Sequence, residues 1–167
     1  MLGKVTLRDA RIEDLSIIVE IYNSTIPSRM VTADTEFITI NDRIDWFKEH
    51  HPDNRPLWVV EYEGEIGGWV SIQSFYGRPA YKGTAEVSIY LDKNFRGKGL
   101  GKKTLTKVLE ECPKLGIDTM LSFIFAHNGS SMKLFSSFGF EKWAHLPEVA
   151  NLDGNKRDLV ILGKKIS

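Results

Sequence analysis

The chain has 167 residues, 42% of them hydrophobic, with 22 basic residues against 22 acidic ones and therefore no formal net charge. That is enough chain for a single domain, residues 1–167, around one core, and the charge balance argues against nucleic acid or an anionic membrane as partner. Met1-Leu2-Gly3-Lys4-Val5 carries no targeting pattern, no segment could span a bilayer, and the lone Cys112 excludes an internal disulfide, so a cytoplasmic protein is expected.

Val5-Thr6-Leu7-Arg8 reads as a short strand, and Leu15, Ile18, Val19 and Tyr22 form one apolar helix face. Asn23 to Phe37 is polar, aperiodic and interrupted by Pro27, which predicts a loop. Thr39-Ile40-Asn41-Asp42 has the form of a capping box opening a helix with Ile44 and Phe47 inward, and His50-His51-Pro52-Asp53 ends that helix. Two strands follow, Leu57–Tyr62 and Glu65–Ser74, joined by a tight turn at Glu63-Gly64. The loop Phe75–Gly83 leads into a strand through Glu86-Val87-Ser88-Ile89-Tyr90-Leu91. Leu100, Leu105, Val108, Leu109 and Cys112 then recur at helical spacing until Pro113. The apolar run Thr119–Phe125 predicts a strand buried on both faces. Ser130–Ser137 reads as a short helix, Gly139-Phe140 leads to another strand, and Leu159–Leu162 lies in the last one. The order β-α-α-β-β-β-α-β-α-β-β suits an α/β protein with a mixed sheet and helices on both faces. Trp46, Trp58, Trp69 and Trp143 are scattered and read as core or interface residues.

The stretch Phe95-Arg96-Gly97-Lys98-Gly99-Leu100-Gly101-Lys102-Lys103 sits where a strand gives way to a helix. Alternate glycines let the backbone approach a ligand closely, and a helix start offers unpaired N–H groups and the positive end of its dipole. Arg96, Lys98, Lys102 and Lys103 add charge of the sign a phosphate needs. A solvated turn with a lysine-rich helix start has the same composition, so the stretch alone leaves both readings open. It fails the P-loop pattern, because Gly101-Lys102 is followed by Lys103, and it lacks the G-x-G-x-x-G spacing of dinucleotide sites.

Arg96, Gly99 and Gly101 give Arg-x-x-Gly-x-Gly, which resembles the acyl-CoA pyrophosphate loop of the GNAT superfamily of N-acyltransferases. Asn128 and Phe138-Gly139-Phe140 resemble that family's later Asn…Gly-Phe signature, and the element order matches as well. Ile21-Tyr22-Asn23, Trp46-Phe47, Ala85-Glu86-Val87-Ser88-Ile89-Tyr90-Leu91, His145-Leu146, Glu148-Val149, Gly154 and Asp158 are similar to the phosphinothricin / methionine sulfoximine N-acetyltransferase branch. The resemblance implies a mostly antiparallel GNAT-like sheet, acetyl-CoA as cosubstrate without a metal, a small amino acid or analogue as acceptor, and a homodimer. Two positions depart from the branch. Phe135 stands where many members carry Tyr or His, and Asn151, Asp153 and Lys156 surround Gly154 where aromatics are usual.

On this resemblance the backbone of Ile89, Tyr90 and Leu91 bonds the pantetheine arm, and Arg96, Gly97, Lys98, Gly99, Leu100, Gly101 and Lys102 hold the pyrophosphate. Asn128 bonds the arm, Phe135 and Ser137 lie beside it, and Arg78, Pro79, Ala80 and Tyr81 form the acceptor wall opposite the loop Ser28–Asp34. An attacking amine must lose a proton, and Glu86 is the candidate base, because partial burial raises a carboxylate toward the working range. Alternation alone would instead turn Glu86 and Ser88 outward. Asn128 also suits a turn before a helix, Ser137 an exposed helix position, and Arg78 either a carboxylate partner or a surface site beside a proline turn. Two rival activities stay open: acetylation of another amine, such as a protein N-terminus, polyamine or aminoglycoside, and an acyl-CoA-binding module without turnover. His50, His51, His127 and His145 lack metal-ligand spacing, and the adjacent pair beside Pro52 suits helix capping.

Overall fold

Glu63 and Gly64 have φ of +51° and +81°, the positive pair that closes a two-residue hairpin between twisted strands. In the computed structural model, which describes residues 3–166, this turn joins β2 (Leu57–Tyr62) to β3 (Glu65–Ser74), the second and third strands of a seven-stranded sheet. The other strands are β1 (Val5–Asp9), β4 (Thr84–Leu91), β5 (Thr119–Phe125), β6 (Glu141–Leu152) and β7 (Asn155–Lys165). Their order across the sheet is β1-β2-β3-β4-β5-β7-β6, and every neighbouring pair is antiparallel except β4 and β5. The helices are α1 (Leu15–Thr25), α2 (Ile44–Lys48), α3 (Leu100–Glu111) and α4 (Gly129–Ser137). The predicted element order is the observed one.

Two cores sit on opposite faces of the sheet, because successive strand side chains point to opposite sides. Val60, Val70, Ile72, Ala85 and Val87 pack with Leu105, Val108 and Cys112 on the α3 side. Leu57, Val59 and Trp69 pack with Leu15, Ile18, Ile21 and Tyr22 of α1 on the other. With both faces covered, strands such as β3 read as continuous apolar runs. Val59, Val60, Val70 and Ile72 are fully buried, each a gain of about 1.5–3 kcal/mol over exposure.

Three boundaries differ from the sequence reading. The helix α1 continues through Asn23, Ser24 and Thr25, where a loop is predicted. Ser24 and Thr25 hydroxyls donate to the carbonyls of Ile21 and Tyr22, and the Asn23 amide clasps both backbone groups of Ile38 at 2.9 Å. These bonds satisfy polar side chains that would otherwise favour a break. Thr39 and Asp42 do form reciprocal capping bonds, but they open a 3₁₀ turn, Asn41–Arg43, ahead of a short α2. Within β5 the expected burial on both faces fails at Phe123, which is exposed.

Candidate active site

β4 and β5 pair through only three rungs: Thr84 with Thr119, Ala85 with Met120, and Glu86 with Leu121. Beyond Glu86 the strands part, although β4 stays paired with β3 as far as Leu91 and β5 with β7 along its length. The parting leaves a slot bordered by Val87, Ile89, Tyr90, Ser122, Asn128 and Phe135. Backbone groups of β4 on that side have no strand partner, so they are free to bond an extended ligand.

At the end of the slot the chain turns through Gly97 and Gly99, with φ of +77° and +69°, into the first turn of α3. A Cβ at either glycine would meet only open space, so glycine is required there by backbone conformation alone. Gly101 differs: a Cβ there would lie 3.3 Å from the Leu134 side chain, so its role is close helix packing. Arg96, Gly97, Gly99, Leu100, Gly101 and Lys102 line a hollow of about 380 Å³ at this helix start, and no acidic residue stands in the first turn. Two of the four predicted cations are turned elsewhere. Lys103 donates to the Gly3 carbonyl at 2.8 Å, which corrects its expected place in the phosphate site, and Lys98 lies over the Tyr62 ring at 5.5 Å.

Glu86 projects to the α1 side of the sheet, in register with Gln73 of β3, as Ser88 is with Ser71 and Tyr90 with Trp69. Outward by alternation is therefore inward by packing, because α1 and α2 cover that face. Burial pushes the Glu86 carboxyl above the usual carboxylate range. Its register partner Gln73 and Ser88, next on the same face, border a cavity of about 180 Å³ together with Tyr22, Arg43, Trp46, Trp69, Ser71 and Tyr90. Ser88 and Tyr90 also border the slot, so the two spaces meet across β4. Ser71 bonds His50 Nε2 at 2.6 Å, while His50 Nδ1 lies 2.9 Å from the Trp46 carbonyl. A carbonyl only accepts, so Nδ1 carries the proton in neutral His50 and Nε2 receives the Ser71 hydroxyl.

Asn128 borders the slot, and its side chain accepts from Ser131 N–H at the start of α4, as a turn residue before a helix does. Phe135 is 4% exposed, borders the slot and meets Phe140 edge-on. Ser137 is exposed and donates to the Leu134 carbonyl at 2.6 Å. Arg78 is exposed and precedes a 3₁₀ turn, Pro79–Tyr81, outside the cavity lining, and Tyr81 clusters with Phe75 and Tyr76. The sequence reading did not single out Arg43, Ser71 or Gln73, and took Trp46 and Trp69 for core or interface. Cys112 is fully buried and its thiol is pushed up to about 11, which makes it a poor nucleophile. Among the described residues no cluster of three or more His, Cys, Asp or Glu could hold a metal ion, and no helix is long and apolar enough to cross a membrane.

The parted strands and the left-handed glycine turn fit a long, phosphate-bearing thioester such as acetyl-CoA. Bound there, it would supply an activated carbonyl and a thiolate leaving group. Unpaired β4 backbone and the N–H groups of the glycine turn are able to bond such a group, and a carboxyl raised by burial, as at Glu86, is able to take up a proton near neutrality.

Residues 18–140 match the acetyltransferase (GNAT) family. YwnH of Bacillus subtilis (strain 168), provisionally named a phosphinothricin acetyltransferase, is 52% identical over 98% of this chain and 100% of its own. A Salmonella typhimurium (strain LT2) L-methionine sulfoximine/L-methionine sulfone acetyltransferase is 28% identical over 95% of this chain and 92% of its own. The crystal structure of a GNAT phosphinothricin acetyltransferase from Sinorhizobium meliloti in complex with AcCoA superposes with a TM-score of 0.89. It is 29% identical and covers 96% of this chain and 88% of its own. With the parted strands and the glycine turn both in place, the chain belongs to the GNAT family and is an N-acetyltransferase.

Proposed function

We propose that the enzyme moves the acetyl group of acetyl-CoA directly onto the amino group of a small free amino acid or amino-acid analogue. One observation carries this reading: half-buried Glu86 occupies the last β4–β5 rung, and its register partner Gln73 and Ser88, next on the same strand face, border a cavity of about 180 Å³. That volume is below the roughly 300–1,000 Å³ of sites for larger organic ligands, which favours a single amino acid over an aminoglycoside. The names of the relatives, phosphinothricin and methionine sulfoximine acetyltransferases, support the same class.

In this scheme Glu86 takes the ammonium proton, directly or through a water. Backbone groups of Ile89, Tyr90 and Leu91 hold the pantetheine arm. N–H groups from Gly97 to Lys102, with Arg96, hold the pyrophosphate. Asn128, Phe135 and Ser137 flank the arm, and Arg78 with Pro79, Ala80 and Tyr81 forms the outer acceptor wall, its guanidinium free to pair a carboxylate. The buried Cys112 thiol suits a direct transfer without an acyl-enzyme. A homodimer belongs to the same proposal, since β6 presents Trp143 and Val149 to solvent, 44% and 57% exposed. A cytoplasmic location suits the single free thiol.

The test is acetyl-CoA-dependent thiol release with methionine sulfoximine, methionine sulfone, phosphinothricin, the parent amino acids, a polyamine, an aminoglycoside and a peptide. Saturable release with an amino acid or analogue supports the proposal. Release only with the polyamine, aminoglycoside or peptide overturns it.

A further inference from the structure

Three distant parts of the chain meet at Arg29. It follows the 3₁₀ turn Ile26–Ser28 at the end of α1 and has φ of +57°, the left-handed conformation that non-glycine residues seldom adopt. Its guanidinium reaches two ways: Nη1 donates to the Ile26 carbonyl at 2.8 Å, and Nε pairs with Asp153 at 2.5 Å. Its own carbonyl accepts from His127 Nε2 at 3.0 Å. His127 is stacked on Phe125 and directly precedes Asn128 of the slot. Asp153 sits on the two-residue turn Asp153-Gly154, with φ of +57° and +87°, that closes the β6–β7 hairpin, and the Gly154 N–H bonds Asn151 Oδ1 at 2.7 Å. The carboxylate is therefore presented from a well-defined tip.

The segment that starts at Arg29 leads to both spaces of the site. Val31 borders the slot itself, and Thr32 and Asp34 bond the hydroxyl of Tyr22, which borders the cavity. Residues 29–34 are thus tied at both ends, with Val31 between the ties. The ties differ in strength. Thr32 is buried with Tyr22, whereas the Arg29–Asp153 pair is open to water, with the Asp153 side chain 57% exposed, and an exposed ion pair contributes little. The Arg29 end is the one that can release. We propose that Arg29 is a positioning residue for acetyl-CoA: through His127 and Asp153 it holds Val31 at the slot, and the ion pair with the hairpin tip is a latch that slows escape of the bound cofactor. This rests on the reading of the slot as the site of the pantetheine arm and does not depend on which amine is acetylated.

The test measures dissociation of CoA and acetyl-CoA by stopped-flow displacement, together with kcat and the KM for acetyl-CoA, in the wild type, Arg29→Gln, Asp153→Asn and the double variant. Asparagine suits the left-handed turn position, so Asp153→Asn removes the charge and keeps the hairpin. Each single variant is expected to release both ligands about two- to fivefold faster, the range an exposed ion pair spans, and to raise the KM for acetyl-CoA by a similar factor without lowering kcat. The double variant should release them no faster than the faster single one, because both changes break the same pair. Release at the wild-type rate in either single variant, whatever happens to its melting temperature, overturns the latch. So do effects that multiply in the double variant, or a fall in kcat as large as the rise in KM. If the ligands bind and the latch effects appear but no amino acid is acetylated, the latch stands and the acceptor reading falls. A wild type that does not bind acetyl-CoA sinks the slot reading and the latch together.

Discussion

Glu86 and Leu121 form the last rung between β4 and β5, so the candidate base stands at the point where the sheet opens. A carboxylate at that fork is held by strand pairing on both sides, yet it is one residue from unpaired backbone. The position explains how one side chain can be rigid, partly desolvated and next to an extended ligand.

Replacing it with an isosteric amide should therefore separate chemistry from structure. Glu86→Gln is expected to lower kcat/KM by about 10²–10⁴-fold while acetyl-CoA still binds. The wild-type profile should rise with pH as Glu86 ionises, and the variant should keep only the limb set by the acceptor amine. Stability moves the other way. Burial raises this carboxyl in the folded state, so the folded protein holds its proton more tightly than the unfolded chain does. The stability this contributes is complete below the unfolded value of roughly 4.3 and is lost as pH rises through the folded one. Thermal melts should show Glu86→Gln melting above the wild type at neutral pH, with the gap closing near pH 4. An unchanged kcat/KM would remove Glu86 from the mechanism.

Gly99 caps α3 at φ +69° in open space, so Gly99→Ala should cost only backbone strain, about 1–2 kcal/mol. The variant should melt a few degrees lower and show a raised KM for acetyl-CoA with a smaller effect on the KM for the acceptor. Equal changes in both would argue that the turn does not hold the cofactor.

Much of this was legible because local chemistry settles it. Glu63-Gly64 specifies its hairpin, and Gly97 and Gly99 specify a strand-to-helix turn through the backbone freedom that only glycine supplies. The cavity on the α1 face was not legible, because Tyr22, Arg43, Trp46, Trp69 and Gln73 come from four separate elements. Trp69 has the pattern of a core residue, and on its α1 face it packs as one. Nothing in a strand's periodicity tells whether the space beside an aromatic ring is filled or empty. Lys103 shows the same limit for charge: its sign could be read, but its bond to the Gly3 carbonyl could not.

Phe135 lines the slot where a proton donor would be convenient, and its ring is fixed edge-on to Phe140 at 5.0 Å. A thiolate of pKa roughly 8.5 leaves without help near neutrality. Phe135→Tyr is therefore expected to change kcat by less than about threefold. It should lower thermal stability, since a buried hydroxyl without a partner costs about 1–3 kcal/mol. A tenfold gain in kcat would show instead that protonation of the leaving group limits the wild-type enzyme.

His50 accepts from Ser71, which borders the cavity, while donating to the Trp46 carbonyl. Burial holds its imidazole below the ordinary histidine range, outweighing the opposing pull of the Trp46 and Phe47 carbonyls and Glu49. The folded state thus resists a proton that the unfolded chain accepts near pH 6.5. The stability contribution is complete above that value and is lost as pH falls toward the folded one. The wild-type melting temperature should accordingly decline below about pH 6.5 more steeply than that of His50→Gln, whose amide can keep one of the two bonds and has no charge to gain. The acceptor KM should rise only at lower pH, where folded His50 itself takes a proton, because protonated Nε2 no longer accepts from Ser71 and the hydroxyl must turn toward the cavity. Parallel melting curves for the two proteins from pH 7 to 5 would show that His50 takes up its proton alike in the folded and unfolded states and plays no part in that response.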